Sequence, residues 1–209
     1  MAIDLAAADE LLTTTRAVRK RLDFSRPVAR ETILDCVRIS QQAPTGGNAQ
    51  GWRWIIVDDA DKRREVAKLY QDVVGSRFTD ASKAAKAAGN DQSARVYEGA
   101  QYLADHFHEA PIHVIACLEG ALPPEFASMA GSSIYPAVWS FQLALRARGL
   151  GSTLTTGLAM VSEEEKFRVL GIPADVTVYA LLPVAYTIGT DFKAASRPPV
   201  ETIVHWNGW

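Results

Sequence analysis

The sequence predicts an α+β sandwich in a single domain spanning residues 1–209. Three observations carry that expectation. Apolar runs bounded by turn residues alternate loosely with amphipathic stretches of three-to-four periodicity. No segment repeats, and no low-complexity tract intrudes beyond one Ala/Lys stretch. A chain of 209 residues is also long enough to bury one sizeable core.

Each element has its own local cause. Pro27-Val28 precede Ala29-Arg30-Glu31, after which Ile33, Leu34, Val37 and Ala43 recur at helical spacing, predicting a helix over about 30–42 that stops at Pro44. Beyond a polar glycine loop, Trp52–Val57 is aromatic and β-branched between Gly51 and Asp58-Asp59, which reads as a strand. Asp61–Val74 is a charged helix with Val66, Leu69, Tyr70 and Val73 on one face. Residues 75–91 weaken into small and basic residues, a mobile excursion or an exposed helix. Tyr97–His108 looks helical, Pro111 opens a buried strand over Ile112–Leu118, and residues 120–125 form a loop carrying Pro123-Pro124.

Ser132 or Ser133 is expected to cap a central helix over about 134–148, with Pro136 in its first turn and Gly149 as its stop. A short strand is predicted over Ser152–Thr156. Ser162 and Glu165 form a capping box that starts a helix ending at Gly171, and Val176–Thr187 is the most apolar strand.

Composition excludes several function classes. Lys and Arg number 22 against 24 Asp and Glu, a net charge of −2, so the chain lacks the global basic field of a nucleic-acid binder. No apolar run reaches the length of a membrane span, and Met1-Ala2-Ile3-Asp4-Leu5 is acidic where a secretory signal needs positive charge; a soluble cytoplasmic protein is expected. Cys36 and Cys117 sit in apolar segments without metal-ligand spacing and read as small buried hydrophobes. His106, His108 and His113 fall on different faces, which argues against a zinc site. Gly149-Leu150-Gly151-Ser152 lacks the third glycine of a dinucleotide fingerprint, and neither a P-loop nor a GxSxG sequence occurs.

Three separated stretches carry the chemistry: Arg16-Ala17-Val18-Arg19-Lys20-Arg21, the loop from Ala43 to Trp52, and Ala195-Ser196-Arg197-Pro198. Arg16 and Arg19 are three apart; on a helical turn they would point to one side and grip a phosphate or an anionic ring edge. Gly46 and Gly47 let backbone approach a ligand closely. Taken singly, the first stretch reads first as a solvated basic face beside Asp23, and the glycines of the second as an ordinary helix-to-strand connection.

In this order, and followed by Gly149-Leu150-Gly151-Ser152 before a short strand, the stretches resemble the FMN-dependent nitroreductase family from about Thr13 to Pro198. The resemblance implies a mainly antiparallel central sheet flanked by helices. It also implies an intertwined homodimer, with residues 198–209 as an arm on the partner subunit. FMN is the implied cofactor. Arg16 would meet its phosphate, with Ala17 where relatives often have serine, and Arg19 its pyrimidine side. Pro44, Thr45, Gly46 and Asn48 would reach the flavin of the other subunit. Thr155, Thr156 and Gly157 would offer backbone donors to the ring. Ser196 and Arg197 would close on the phosphate, with Lys193 substituting for the lysine often found at Ala195.

The implied activity is ping-pong: hydride from NADPH or NADH to FMN, then electrons to a small electron-poor acceptor such as a nitroaromatic or quinone. No side-chain nucleophile, acid or base is implied. The same fold in relatives also hosts dehalogenation, flavin fragmentation and dehydrogenation, and flavin storage or sensing without turnover is a further alternative. Phe78, Tyr97 and Tyr102 are candidate walls of a substrate channel, and Trp139 and Phe141 candidate core residues.

Overall fold

The longest apolar runs of the chain become the central strands of a sheet covered by helices on both faces. The computed structural model describes residues 3–120 and 127–209. Its strands are β1 (Leu22–Asp23), β2 (Trp52–Val57), β3 (Ile112–Glu119), β4 (Leu150–Ser152) and β5 (Val176–Thr187). Its α-helices are α1 (Leu5–Thr14), α2 (Arg30–Ser40), α3 (Ala60–Val74), α4 (Arg77–Ala87), α5 (Asp91–Asp105), α6 (Ala127–Arg146) and α7 (Glu163–Leu170). β3 and β5 pair at the centre, β2 lies on the outer side of β3, and β1 and β4 pair with the C-terminal end of β5. Every pairing is antiparallel, in keeping with the α+β expectation.

Successive strand residues point to opposite faces, so each face of the sheet gathers its own core. Ile115, Cys117 and Leu181 pack with Val66, Leu69 and Tyr70 of α3, Leu103 of α5 and Val169 of α7. On the other face Val114, Ala116, Leu182 and Val184 pack with Ile33 and Cys36 of α2 and with Ile134, Val138 and Phe141 of α6. This two-sided burial explains why β3 reads as a continuous apolar run rather than an alternating one. The β3–β5 register shifts between Ala116, opposite Ala180, and Cys117, opposite Val178; Tyr179 is the extra residue of the bulge.

Several expected boundaries move. α1 has no counterpart in the sequence reading, although Asp4 caps it by accepting from the Ala6 and Ala7 amides. Residues 75–91 contain the ordered helix α4, which packs on α5. α6 begins well before Ser132, which places Pro136 inside it rather than in its first turn. Proline there deprives the Ser132 carbonyl of its helical donor, yet the burial of Ile134, Val138 and Phe141 holds the helix together across it. Ser133, expected as a cap, instead accepts the Gly46 amide on Oγ (3.2 Å) and the Trp52 indole on its carbonyl (2.9 Å).

β4 also starts earlier than expected, because Gly149, with a φ of 73°, ends the preceding turn and delivers the chain straight into the sheet. Thr155 touches the sheet through a single bridge to Leu181. The Ser162 cap and the left-handed Gly171 stop of α7 lie where the sequence puts them. Of the predicted 120–125 loop, all but Gly120 falls outside the described residues.

Both cysteines are free and buried, and burial pushes their thiols up, to about 11 for Cys36 and about 12 for Cys117. Among the described residues no cluster of His, Cys, Asp and Glu could hold a metal ion, and no helix is long and apolar enough to cross a membrane.

His113 is fully buried, with Nε2 2.8 Å from the Phe107 carbonyl, to which it donates in its neutral form, while Nδ1 has no partner among the described residues. Burial holds its pKa down at about 4. As pH falls below about 6.5, the unfolded chain takes up a proton that the folded chain refuses until about pH 4. The contribution is therefore complete above pH 6.5 and drains away below it, on the order of 3 kcal/mol in all. Urea denaturation at pH 7, 5 and 4 should show a smaller acid loss for His113→Phe than for the parent; equal losses would clear His113 of this role.

Candidate active site

The N-terminal basic stretch is positioned by its backbone. The Thr13, Thr14 and Thr15 hydroxyls donate back to the Asp9, Glu10 and Leu11 carbonyls at 2.6–2.7 Å, and the helix ends there. The chain then runs without helical structure, so Arg16 and Arg19 do not share a helical turn as their spacing suggested. What aligns them is Val18. Its side chain is buried, its amide donates to the Ser152 carbonyl (2.9 Å), and its carbonyl accepts the Thr153 hydroxyl (2.7 Å). Gly151 makes this approach possible: a Cβ there would lie 2.8 Å from Thr187 and 3.1 Å from Val18.

The segment after β5 is clamped beside this stretch. Arg21 donates to the Ile188 carbonyl (2.8 Å) and pairs with Asp191, while Phe192 lies under both Arg21 and Arg146, 4.3 and 4.7 Å from its ring centroid. Arg16 in turn donates to the Lys193 carbonyl (3.1 Å). The outcome is a cavity of about 590 Å³ whose walls include Arg16, Ala17, Arg19, Lys193 and Arg197. Four cations and no carboxylate line it among the described residues. Residues 177 positions apart thus meet, whereas Ser196 is exposed and, among the described residues, only its carbonyl is engaged, accepting from Arg197 (3.2 Å).

A second cavity of about 380 Å³ adjoins the first through Arg19, which lines both. Its floor is Thr153–Gly157, and its walls include Tyr70, Phe78, Tyr97 and Met160. Burial lowers the pKa of the Arg19 guanidinium, an effect opposed by the nearby Tyr70. Burial likewise raises the Tyr70 hydroxyl, against a hydrogen bond with Thr155 and the charge of Arg19. The Gly157 amide donates to Thr155 Oγ1 (3.2 Å), leaving the exposed Thr156 amide without a hydrogen-bond partner among the described residues. Such a floor can supply a backbone donor to a planar ligand edge beside a half-buried cation.

The predicted loop at Pro44, Thr45, Gly46 and Asn48 lines neither cavity. It is exposed and bent into a 3-10 turn, with left-handed φ at Gly47 (58°), Asn48 (55°) and Gln50 (50°). Thr45 accepts the Asn48 amide on its carbonyl (3.2 Å), and the Gln50 side chain donates to Asn48 Oδ1 (2.8 Å). Asn48 thus keeps its own NH₂ group free of partners among the described residues, in a loop tethered to Ser133 through the Gly46 amide.

Sequence reading missed Tyr70 and Trp139 as site residues. Tyr70 repeats with Val66 on the apolar face of α3 and is indeed core, but one edge of it faces the cavity. Trp139 was expected in the core; it is 41% exposed and lines the cationic cavity, whereas Phe141 is fully buried as expected. Helical periodicity alone could not separate these two. Of the three candidate channel walls, Phe78 and Tyr97 line the inner cavity, while Tyr102 packs at a tilt against His106 instead.

Comparison with known proteins gives a consistent picture. The model of the Nitroreductase family matches residues 12–186. An iodotyrosine deiodinase of Thermotoga neapolitana is 23% identical over 196 residues, 94% of this chain and 96% of that protein. A 5,6-dimethylbenzimidazole synthase of Rhodospirillum rubrum is 26% identical over 170 residues, 77% of this chain and 73% of that one. The crystal structure of an FMN- and NADPH-dependent nitroreductase from Sphigopyxis sp. strain HMH shares the fold, with a TM-score of 0.69, 21% identity, and 97% and 99% of the two chains covered.

The floor of the inner cavity is tightly fitted. A Cβ at Gly157 would lie 2.7 Å from the buried Tyr70 ring. Gly157→Ala should destabilise the protein by about 1–3 kcal/mol through overpacking. In a Tyr70→Ala background that cost should vanish, because the clashing ring is gone. Thermal or urea denaturation of the four proteins checks this; strictly additive losses would contradict it.

Proposed function

The chain belongs to the nitroreductase family, and on that premise we propose that it is an FMN-dependent oxidoreductase. In this reading it takes hydride from NADPH or NADH and passes electrons to an electron-poor acceptor such as a nitroaromatic or quinone. The observation that carries the reading is the joining of the two cavities through Arg19. The cationic one suits a phosphate, and the apolar one, with its backbone floor, suits a planar ring. Their volumes fall in the range of about 300–1,000 Å³ usual for ligand sites.

Bound there, FMN would supply two-electron acceptance from the nicotinamide and delivery to the acceptor. The chain's own part is to hold and to bias. Arg16 and Arg197, with Lys193 alongside, would neutralise the phosphate, as guanidinium groups do through paired hydrogen bonds. Arg19 is partly desolvated and has no carboxylate partner among the described residues, so negative charge arriving beside it is favoured. The Thr156 amide would hold a ring edge, with Gly157 keeping the floor flat against Tyr70. Ala17 and Gly46 would contribute backbone rather than the hydroxyls that serine would bring.

A homodimer belongs to the same proposal. Pro44, Thr45, Gly46 and Asn48 lie away from the cavities of their own subunit, with the Asn48 amide group free to donate, which suits a loop serving a partner's cofactor. Residues 198–209, exposed through Ile203, Trp206 and Trp209, suit an arm laid on that partner, since Trp206 alone is 86% exposed.

The purified protein should show a flavin absorption band that bleaches with NADPH or NADH under argon and returns on adding a quinone or nitroaromatic. A band that persists would favour flavin storage or sensing, and a colourless protein that refuses FMN would end the proposal. In the same preparation Arg197→Ala should weaken FMN retention roughly ten- to hundredfold. Analytical ultracentrifugation should find a dimer whose dissociation constant rises when residues 198–209 are deleted; a monomeric parent would remove the dimer from the reading.

A further inference from the structure

The inner cavity carries a charge pattern that its floor does not require. Its walls are mostly aromatic and aliphatic, and its charged members among the described residues are Arg19 and Arg77, both cationic. Arg19 stands at the junction with the cationic cavity, but Arg77 begins α4 on the other side, beside Phe78 and Met160. Its Nη1 lies 3.7 Å from the Met160 thioether, a weak acceptor, and no carboxylate of the described residues pairs with it. Asp80, three residues on and the natural helical partner for Arg77, is engaged by the Ser76 hydroxyl at 2.6 Å instead. A guanidinium thus lines an apolar cavity with only a weak thioether contact to occupy its donors among the described residues.

We propose that Arg77 is a specificity-determining residue that selects aromatic acceptors bearing an anionic substituent, a carboxylate above all. The ring would lie among Phe78, Tyr97 and Met160 while the carboxylate takes the fork of the guanidinium, a geometry that fits it better than any neutral substituent. A zwitterionic amino acid is disfavoured by the same pattern, because its ammonium group would find no carboxylate among the described walls. This inference rests on the reading above, in which the cofactor's ring takes the Thr153–Gly157 floor of the inner cavity, and it places the acceptor against the Arg77, Phe78, Tyr97 and Met160 walls of the same cavity.

Calorimetric titration of the FMN-loaded protein with 4-nitrobenzoate and with its neutral counterpart 4-nitrobenzamide tests this without turnover. The benzoate should bind about tenfold more tightly or better. Arg77→Gln should bring the two affinities together, and Arg77→Lys should keep part of the difference, since it retains charge but loses the fork. Arg77 is exposed, so these variants leave the core untouched. Equal affinities in the parent, or a benzoate preference that survives Arg77→Gln, would overturn the proposal. So would an Arg77→Gln variant that alters only the NADPH-to-NADH preference of flavin reduction, which would assign the guanidinium to a donor phosphate. A benzoate preference that depends on Arg77 in a protein that no nicotinamide reduces would support this inference while counting against the proposed function.

Discussion

The site depends on one contact, the docking of Val18 against β4 across the bare face of Gly151. Two hydrogen bonds tie the Val18 backbone to Ser152 and Thr153, and the side chain is driven into the core by the hydrophobic effect. A strand-like segment anchored at its middle residue cannot rotate freely, so the flanking Arg16, Ala17 and Arg19 are presented together. A larger residue at position 151 would separate the two backbones and with them the walls of both cavities.

A second constraint acts from the far end of the chain. Phe192, flanked by the Arg21 and Arg146 guanidiniums, fixes the path after β5 so that Lys193 and Arg197 reach the N-terminal arginines. Concentrating like charges in this way is unfavourable by itself, and exposed ion pairs would do little to offset it. The arrangement makes chemical sense as a receptacle for anionic charge, whose arrival relieves the repulsion and rewards partial desolvation of Arg19. Electrostatics and packing therefore cooperate: apolar docking sets the geometry, and the geometry sets the field.

Much of this could be read from residue order. The strands at Trp52–Val57, Ile112–Glu119 and Val176–Thr187 and the helix capped by Ser162 announce themselves through β-branched runs and capping chemistry, both of which act over a few residues. The boundaries that moved are those where tertiary burial overrode a local rule. Pro136 ought to mark a helix start, yet its neighbours Ile134, Val138 and Phe141 are buried deeply enough to carry α6 through it. Trp139 and Phe141 look alike by pattern, and only the packed helix shows that one faces the core and the other the cavity.

The sequence by itself determined the kinds of groups available: a cationic cluster, a glycine loop and a late arginine. It also determined the family, because ordered motifs survive where overall identity is low. Only the tertiary structure decided that Arg16 and Arg197 share one cavity, that Arg19 joins it to a second, and that the 44–48 loop lines neither. The reason is physical. Capping, periodicity and turn preference are local energies written in neighbouring residues, whereas the meeting of residues 177 positions apart depends on the burial of Val18 and the packing of half-buried Phe192 against partners that no local pattern names.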